Sequence, residues 1–92
     1  MERLEILVSG RVQGVFFRAF TAKKARELGI VGWVANLPDG RVKIVAQGEK
    51  DSLQELLESV KLGPPLAKVS QVESKWSHKL EPFDDFSVRY DV

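Results

Sequence analysis

The stretch "Gly10-Arg11-Val12-Gln13-Gly14-Val15-Phe16-Phe17-Arg18" lies between an alternating apolar run and a helical one, and its reading decides how the chain begins to fold. Before it, Leu4, Ile6 and Val8 alternate with mostly polar neighbours from Leu4 to Ser9, the pattern of a strand that buries one face. After it, Phe17, Phe20, Thr21, Ala25 and Leu28 recur at helical spacing with charges on the flanks, and Gly29 supplies the stop. The stretch therefore joins a strand to a helix. Two glycines, a glutamine and an arginine are more than a turned corner needs.

Outward from this joint the elements continue. Val31 to Asn36 reads as a short strand and Arg41 to Gln47 as its return. Between them lies the turn Leu37-Pro38-Asp39-Gly40, in which proline sets φ and glycine supplies φ > 0. A second helix begins near Asp51 or Ser52, carries Leu53, Leu56, Leu57 and Val60 at i, i+3, i+4 and i+7, and stops at Gly63-Pro64-Pro65. Alternation resumes from Ala67 to Trp76 but slips phase near Gln71, the mark of a β-bulge. Phe86, Val88 and Tyr90 share one face of a last strand.

The order is β-α-β-β-α-β, with an extra strand if the run splits after Gln71. That is the ferredoxin-like split β-α-β arrangement of the α+β class, with two helices on one face of an antiparallel sheet of four to five strands. At 92 residues the chain reads as a single domain, 1–92. In this topology the first and second strands run parallel with the hairpin's return strand between them. Their C-terminal ends then share one edge of the sheet, roughly 10 Å apart at ~4.8 Å per strand. A small ligand can touch both the loop after Ser9 and the strand end at Asn36.

The loop suits an anion. The first N–H groups of a helix lack partners and the dipole is positive there, while Gly10 and Gly14 let the backbone curl so that successive N–H groups point inward. Arg18, in the first helical turn, leans back toward the N-terminus, and its planar fork above a ring of donors matches a tetrahedral phosphate. Asn36 offers a donor and an acceptor, enough to hold a water in line for attack on phosphorus. Each residue also has a plainer reading. Arg18 fits a solvated surface position and Asn36 a side-chain cap on the turn.

Composition narrows the partners. Fourteen basic and 13 acidic residues leave a net charge of +1, so nothing calls for a nucleic acid. An RNA-recognition module of the same element order would display aromatics on its sheet, and Arg41 to Gln47 has none. The interleaved charges of Met1 to Glu5 and the absence of a long apolar run point away from a signal peptide and a membrane, toward the cytoplasm. With no cysteine there is no disulfide or thiolate site, and no His, Asp or Glu cluster has metal-ligand spacing. Trp33, Phe16, Phe17 and Phe20 read as core, with the option that one phenylalanine lines the mouth of the site. His78 reads as surface, Glu55 and Glu58 as the exposed side of the second helix, and Asp84-Asp85 as a turn. No acid pair is placed for acid–base work.

The opening stretch, together with Gly29-Ile30-Val31-Gly32-Trp33-Val34-Ala35-Asn36, Asp39-Gly40-Arg41-Val42, Gly48 and the later Leu62-Gly63-Pro64-Pro65 segment, resembles the acylphosphatase family. The resemblance implies hydrolysis of a carboxyl–phosphate anhydride, with a small-molecule acyl phosphate as substrate and inorganic phosphate or a similar anion bound in the loop. It implies a phosphate cradle from the amides of Gln13, Gly14, Val15, Phe16, Phe17 and Arg18, a phosphate-binding arginine at Arg18 and a water-orienting asparagine at Asn36. No metal, cofactor or protein general base is expected, and a monomer is. The alternative is a non-catalytic anion-binding or interaction module of the same fold.

Overall fold

The computed structural model describes residues 1–90. Its elements are β1 (Glu2–Arg11), α1 (Phe17–Glu27), β2 (Val31–Asn36), β3 (Val42–Gly48), α2 (Lys50–Leu62), β4 (Lys68–Ser77) and β5 (Phe86–Arg89). The strands form one sheet in the order β4-β1-β3-β2-β5. Both helices pack on one face of it, α1 over β2 and β5, α2 over β1, β3 and β4. The ferredoxin-like α+β reading holds. Pairing is antiparallel except at one edge, where β5 runs parallel to β2.

Period-2 alternation explains the core. Leu4, Ile6 and Val8 of β1, Val34 of β2, and Val42, Ile44 and Ala46 of β3 face the helices and are buried with Leu53, Leu56, Leu57 and Val60 of α2. Burying such side chains is the main source of stability, at about 1.5–3 kcal/mol each. α2 starts at Lys50, one or two residues earlier than the sequence suggests, with Glu49 as an N-cap that makes no side-chain cap bond.

The phase slip in the long alternating run is a bulge and not a break. Ser9 pairs with Gln71 and Gly10 with Val69, so Ser70 is the extra residue of an otherwise continuous β4. Gly10 belongs there by necessity. Its φ is +119°, and a Cβ would stand 2.2 Å from the Lys68 carbonyl oxygen.

The far face of the sheet is strapped by the segment between β4 and β5. Gln47, buried on that face, donates from Nε2 to the Glu81 carbonyl at 2.8 Å, and its Oε1 accepts the Glu81 N–H at 2.6 Å. Arg26 of α1 donates twice to the Phe86 carbonyl, at 2.8 and 3.1 Å. These bonds fix where β5 begins. Trp33, expected in the core, lies instead half-buried on the strapped face with the Arg89 guanidinium 4.7 Å from its ring centre. Strand alternation sends Gly32 and Val34 inward and Trp33 outward.

Candidate active site

Val8 and Asn36 both pair with Val42, from opposite sides, so the end of β1 and the end of β2 stand level with one strand between them. The loop leaving β1 therefore faces the Asn36 end of β2 across β3. Val12 and Val15 are buried and anchor that loop to the core. Between and after them the backbone turns twice into left-handed conformations, at Gly14 (φ 73°) and at Phe16 (φ 66°).

Phe16 is the N-cap of α1, and this cap is unusual. Ser, Thr, Asp or Asn normally stands there and uses its side chain to accept a helical N–H. Here no side chain does so, and the first turn carries no acidic residue. The first-turn residues Phe17, Arg18 and Ala19 of this 11-residue helix line a cleft, with the positive end of the dipole unneutralised by a cap or an acid.

The cleft has a volume of about 310 Å³. Gly14, Phe16, Phe17, Arg18 and Asn36 line it, so the structure brings together most of the residues singled out from the sequence. Two others lie behind the wall. Val15 points into the core, and Gln13 uses Nε2 to donate to the carbonyls of Leu37 and Arg41, each at 2.9 Å. Gln13 thereby ties the loop to the β2–β3 turn.

Asn36 does not cap the turn with its acceptor. Its Oδ1 is buried in the cleft wall with no hydrogen-bond partner in the protein, the only such atom among the described residues. A buried acceptor left unsatisfied costs about 1–3 kcal/mol.

Of the three phenylalanines read as core with the option that one lines the site, Phe16 takes the cleft: it is 75% exposed with a left-handed backbone, while Phe17 takes the core position and Phe20 is half-buried. One feature escaped the sequence reading. Tyr90 and Val88 line the cleft as well, and Tyr90 holds its ring centre 4.7 Å from the Arg18 guanidinium carbon. The shared face of Phe86, Val88 and Tyr90 was legible, but the parallel pairing of β5 with β2 that brings Tyr90 beside Asn36 was not.

The acylphosphatase family model matches residues 4–88. The chain belongs to the acylphosphatase family. It is 49% identical over the full length of both chains to the acylphosphatase of Methylococcus capsulatus. It is 57% identical to that of Archaeoglobus fulgidus, over 98% of this chain and all of the relative. The crystal structure of acylphosphatase from Bacillus subtilis superposes with a TM-score of 0.95 at 43% identity, covering 98% of this chain and 100% of the other. Membership of this family makes the chain a hydrolase. Surface assignments agree with the structure: His78, Glu55, Glu58, Asp84 and Asp85 are all exposed. Among the described residues no group of three or more His, Cys, Asp or Glu side chains could hold a metal ion, and no helix is long and apolar enough to cross a membrane.

Proposed function

We propose that the cleft hydrolyses acyl phosphates to carboxylate and inorganic phosphate, with Arg18 and the loop amides holding the phosphoryl group and Asn36 aiming the water. The observation that carries this reading is that one cleft is lined by Arg18, by Asn36 and by the uncapped N-terminus of α1.

The amides from Gln13 to Arg18 cradle the phosphoryl oxygens, Gln13 through its backbone alone. The Arg18 fork neutralises charge that spreads over those oxygens in the transition state. The Asn36 side-chain amide holds the water and turns its lone pair toward phosphorus. The new P–O bond forms as the bond to the acyl oxygen breaks, and the released electron pair stays on the carboxylate. A carboxylate's conjugate acid has a pKa of ~4, so it departs without a general acid. The water's proton passes to a phosphoryl oxygen of the substrate itself. Positioning and electrostatics then suffice, and turnover is expected to persist in chelator.

Action as a monomer is part of this proposal. The cytoplasm as its compartment is likewise part of the proposal.

Release of phosphate from benzoyl phosphate, in chelator, by wild type and by Arg18→Ala tests the reading. Turnover by wild type and a fall on the order of 10³-fold in a folded variant support it. Background rates from a folded wild type would leave an anion-binding module, and rescue only by a divalent ion would remove the metal-free mechanism.

A further inference from the structure

The cleft is larger than the phosphate it is proposed to hold. Its volume of about 310 Å³ has room for on the order of ten waters at ~30 Å³ each, and a tetrahedral phosphate with five heavy atoms fills about a third of that. Beside Arg18, Asn36 and the polar loop backbone, the lining includes the apolar side chains of Val12 and Val88 and two exposed aromatic ones. Phe16 is 75% exposed and Tyr90 78%.

We infer that Phe16 and Tyr90 form an acyl-group subsite that favours acyl phosphates with an aromatic or bulky apolar acyl part, an inference that rests on the function proposed above. An isolated exposed aromatic calls for no explanation. Here two, brought from distant parts of the chain, stand on one cleft, and each carries a cost or a contact that points to use.

Phe16 sits at φ 66°, where glycine or asparagine is the economical choice and a bulky side chain is strained. Its ring contributes nothing to the core in return. The backbone turn explains the conformation but not the phenyl group. Tyr90 lies with its ring stacked on the Arg18 guanidinium, a contact that sets the ring plane beside the phosphate-binding fork. The acyl carbon is two bonds from phosphorus. An acyl group attached to a phosphoryl seated at Arg18 therefore lies within the same cleft, where a flat ring finds aromatic faces and an acetyl methyl finds little. An anionic acyl group finds no cation on these two walls.

The test compares kcat/KM for benzoyl phosphate with kcat/KM for acetyl phosphate in wild type, Phe16→Ala, Tyr90→Ala and Tyr90→Phe. The ratio cancels any change at the phosphate end, which both substrates share. Both side chains are exposed, so their truncation leaves the core whole. A benzoyl-to-acetyl ratio that falls about three- to tenfold in each alanine variant and is kept in Tyr90→Phe supports the subsite. Turnover of both substrates with an unchanged ratio in Phe16→Ala and Tyr90→Ala would overturn the subsite alone. A folded wild type that turns over neither substrate would overturn the function proposal and the subsite together.

Discussion

Gln13 reaches across from the loop after β1 to donate to the Leu37 carbonyl, the residue next to Asn36, at 2.9 Å. The same nitrogen donates to the Arg41 carbonyl, so one side chain couples the loop that carries Arg18 to the strand end that carries Asn36. Gln13→Ala removes both bonds. Each carbonyl keeps a backbone partner, Leu37 from Gly40 and Arg41 from Leu37. The expected loss is about 1–2 kcal/mol, a fall in Tm of roughly 4–16 °C for a domain of this size, together with a drop in kcat of about fivefold or more. Thermal melts and benzoyl phosphate kinetics check both.

The two loop glycines separate a packing requirement from a conformational one. Gly10→Ala drives a Cβ to 2.2 Å from the Lys68 oxygen and 2.7 Å from the Ser70 nitrogen, at φ +119°. Backbone must move at the bulge, and a loss of about 2–4 kcal/mol is expected. Gly14→Ala meets nothing within 4 Å and bears only the strain of φ +73°, about 1–2 kcal/mol. Chemical denaturation of the pair should rank them in that order.

Arg18→Lys keeps the charge but loses the planar fork. Competitive inhibition by inorganic phosphate should weaken, and kcat/KM should fall, each by about tenfold or more. Equal phosphate affinity in wild type and variant would remove Arg18 from the cradle.

Asp39 supplies a pH signature for the turn beside the site. Its carboxylate accepts the Arg41 backbone N–H at 3.1 Å and the Arg41 Nε at 2.9 Å. The backbone bond first, and the guanidinium after it, hold the carboxyl below its usual value. A depressed folded pKa means the stabilisation is present above the unfolded value of ~3.9 and is lost as pH falls through the lower folded one. Wild type should melt higher than Asp39→Asn at neutral pH, and the gap should close toward pH ~2. A gap that persists there would contradict the charge-based account.

Much of this was legible because local rules and the global fold agree. Leu4, Ile6 and Val8 announce a one-faced strand, Leu53, Leu56, Leu57 and Val60 a helix face, and the phase slip at Gln71 lies one residue from the bulge at Ser70. Local pattern failed where a distant contact or an unusual backbone decides. Phe16 is apolar enough for the core, yet it stands before the periodic set that begins at Phe17, with a left-handed φ and an exposed ring. Trp33 is apolar enough for the core, yet its alternation partner Val34 holds that place. Tyr90 became a cleft residue only through a parallel pairing between strands separated by most of the chain, which no local period encodes.

The central claim is that Asn36 acts on the water and Arg18 on the phosphate. Measuring kcat and the inhibition constant of inorganic phosphate in Asn36→Ala tests it most directly. Removal of an unpartnered buried acceptor should leave Tm no lower than in wild type. The account predicts a fall in kcat on the order of 10²-fold with phosphate affinity within about twofold. A kcat within a few-fold of wild type, or a loss of phosphate affinity as large as the loss of rate, would contradict it.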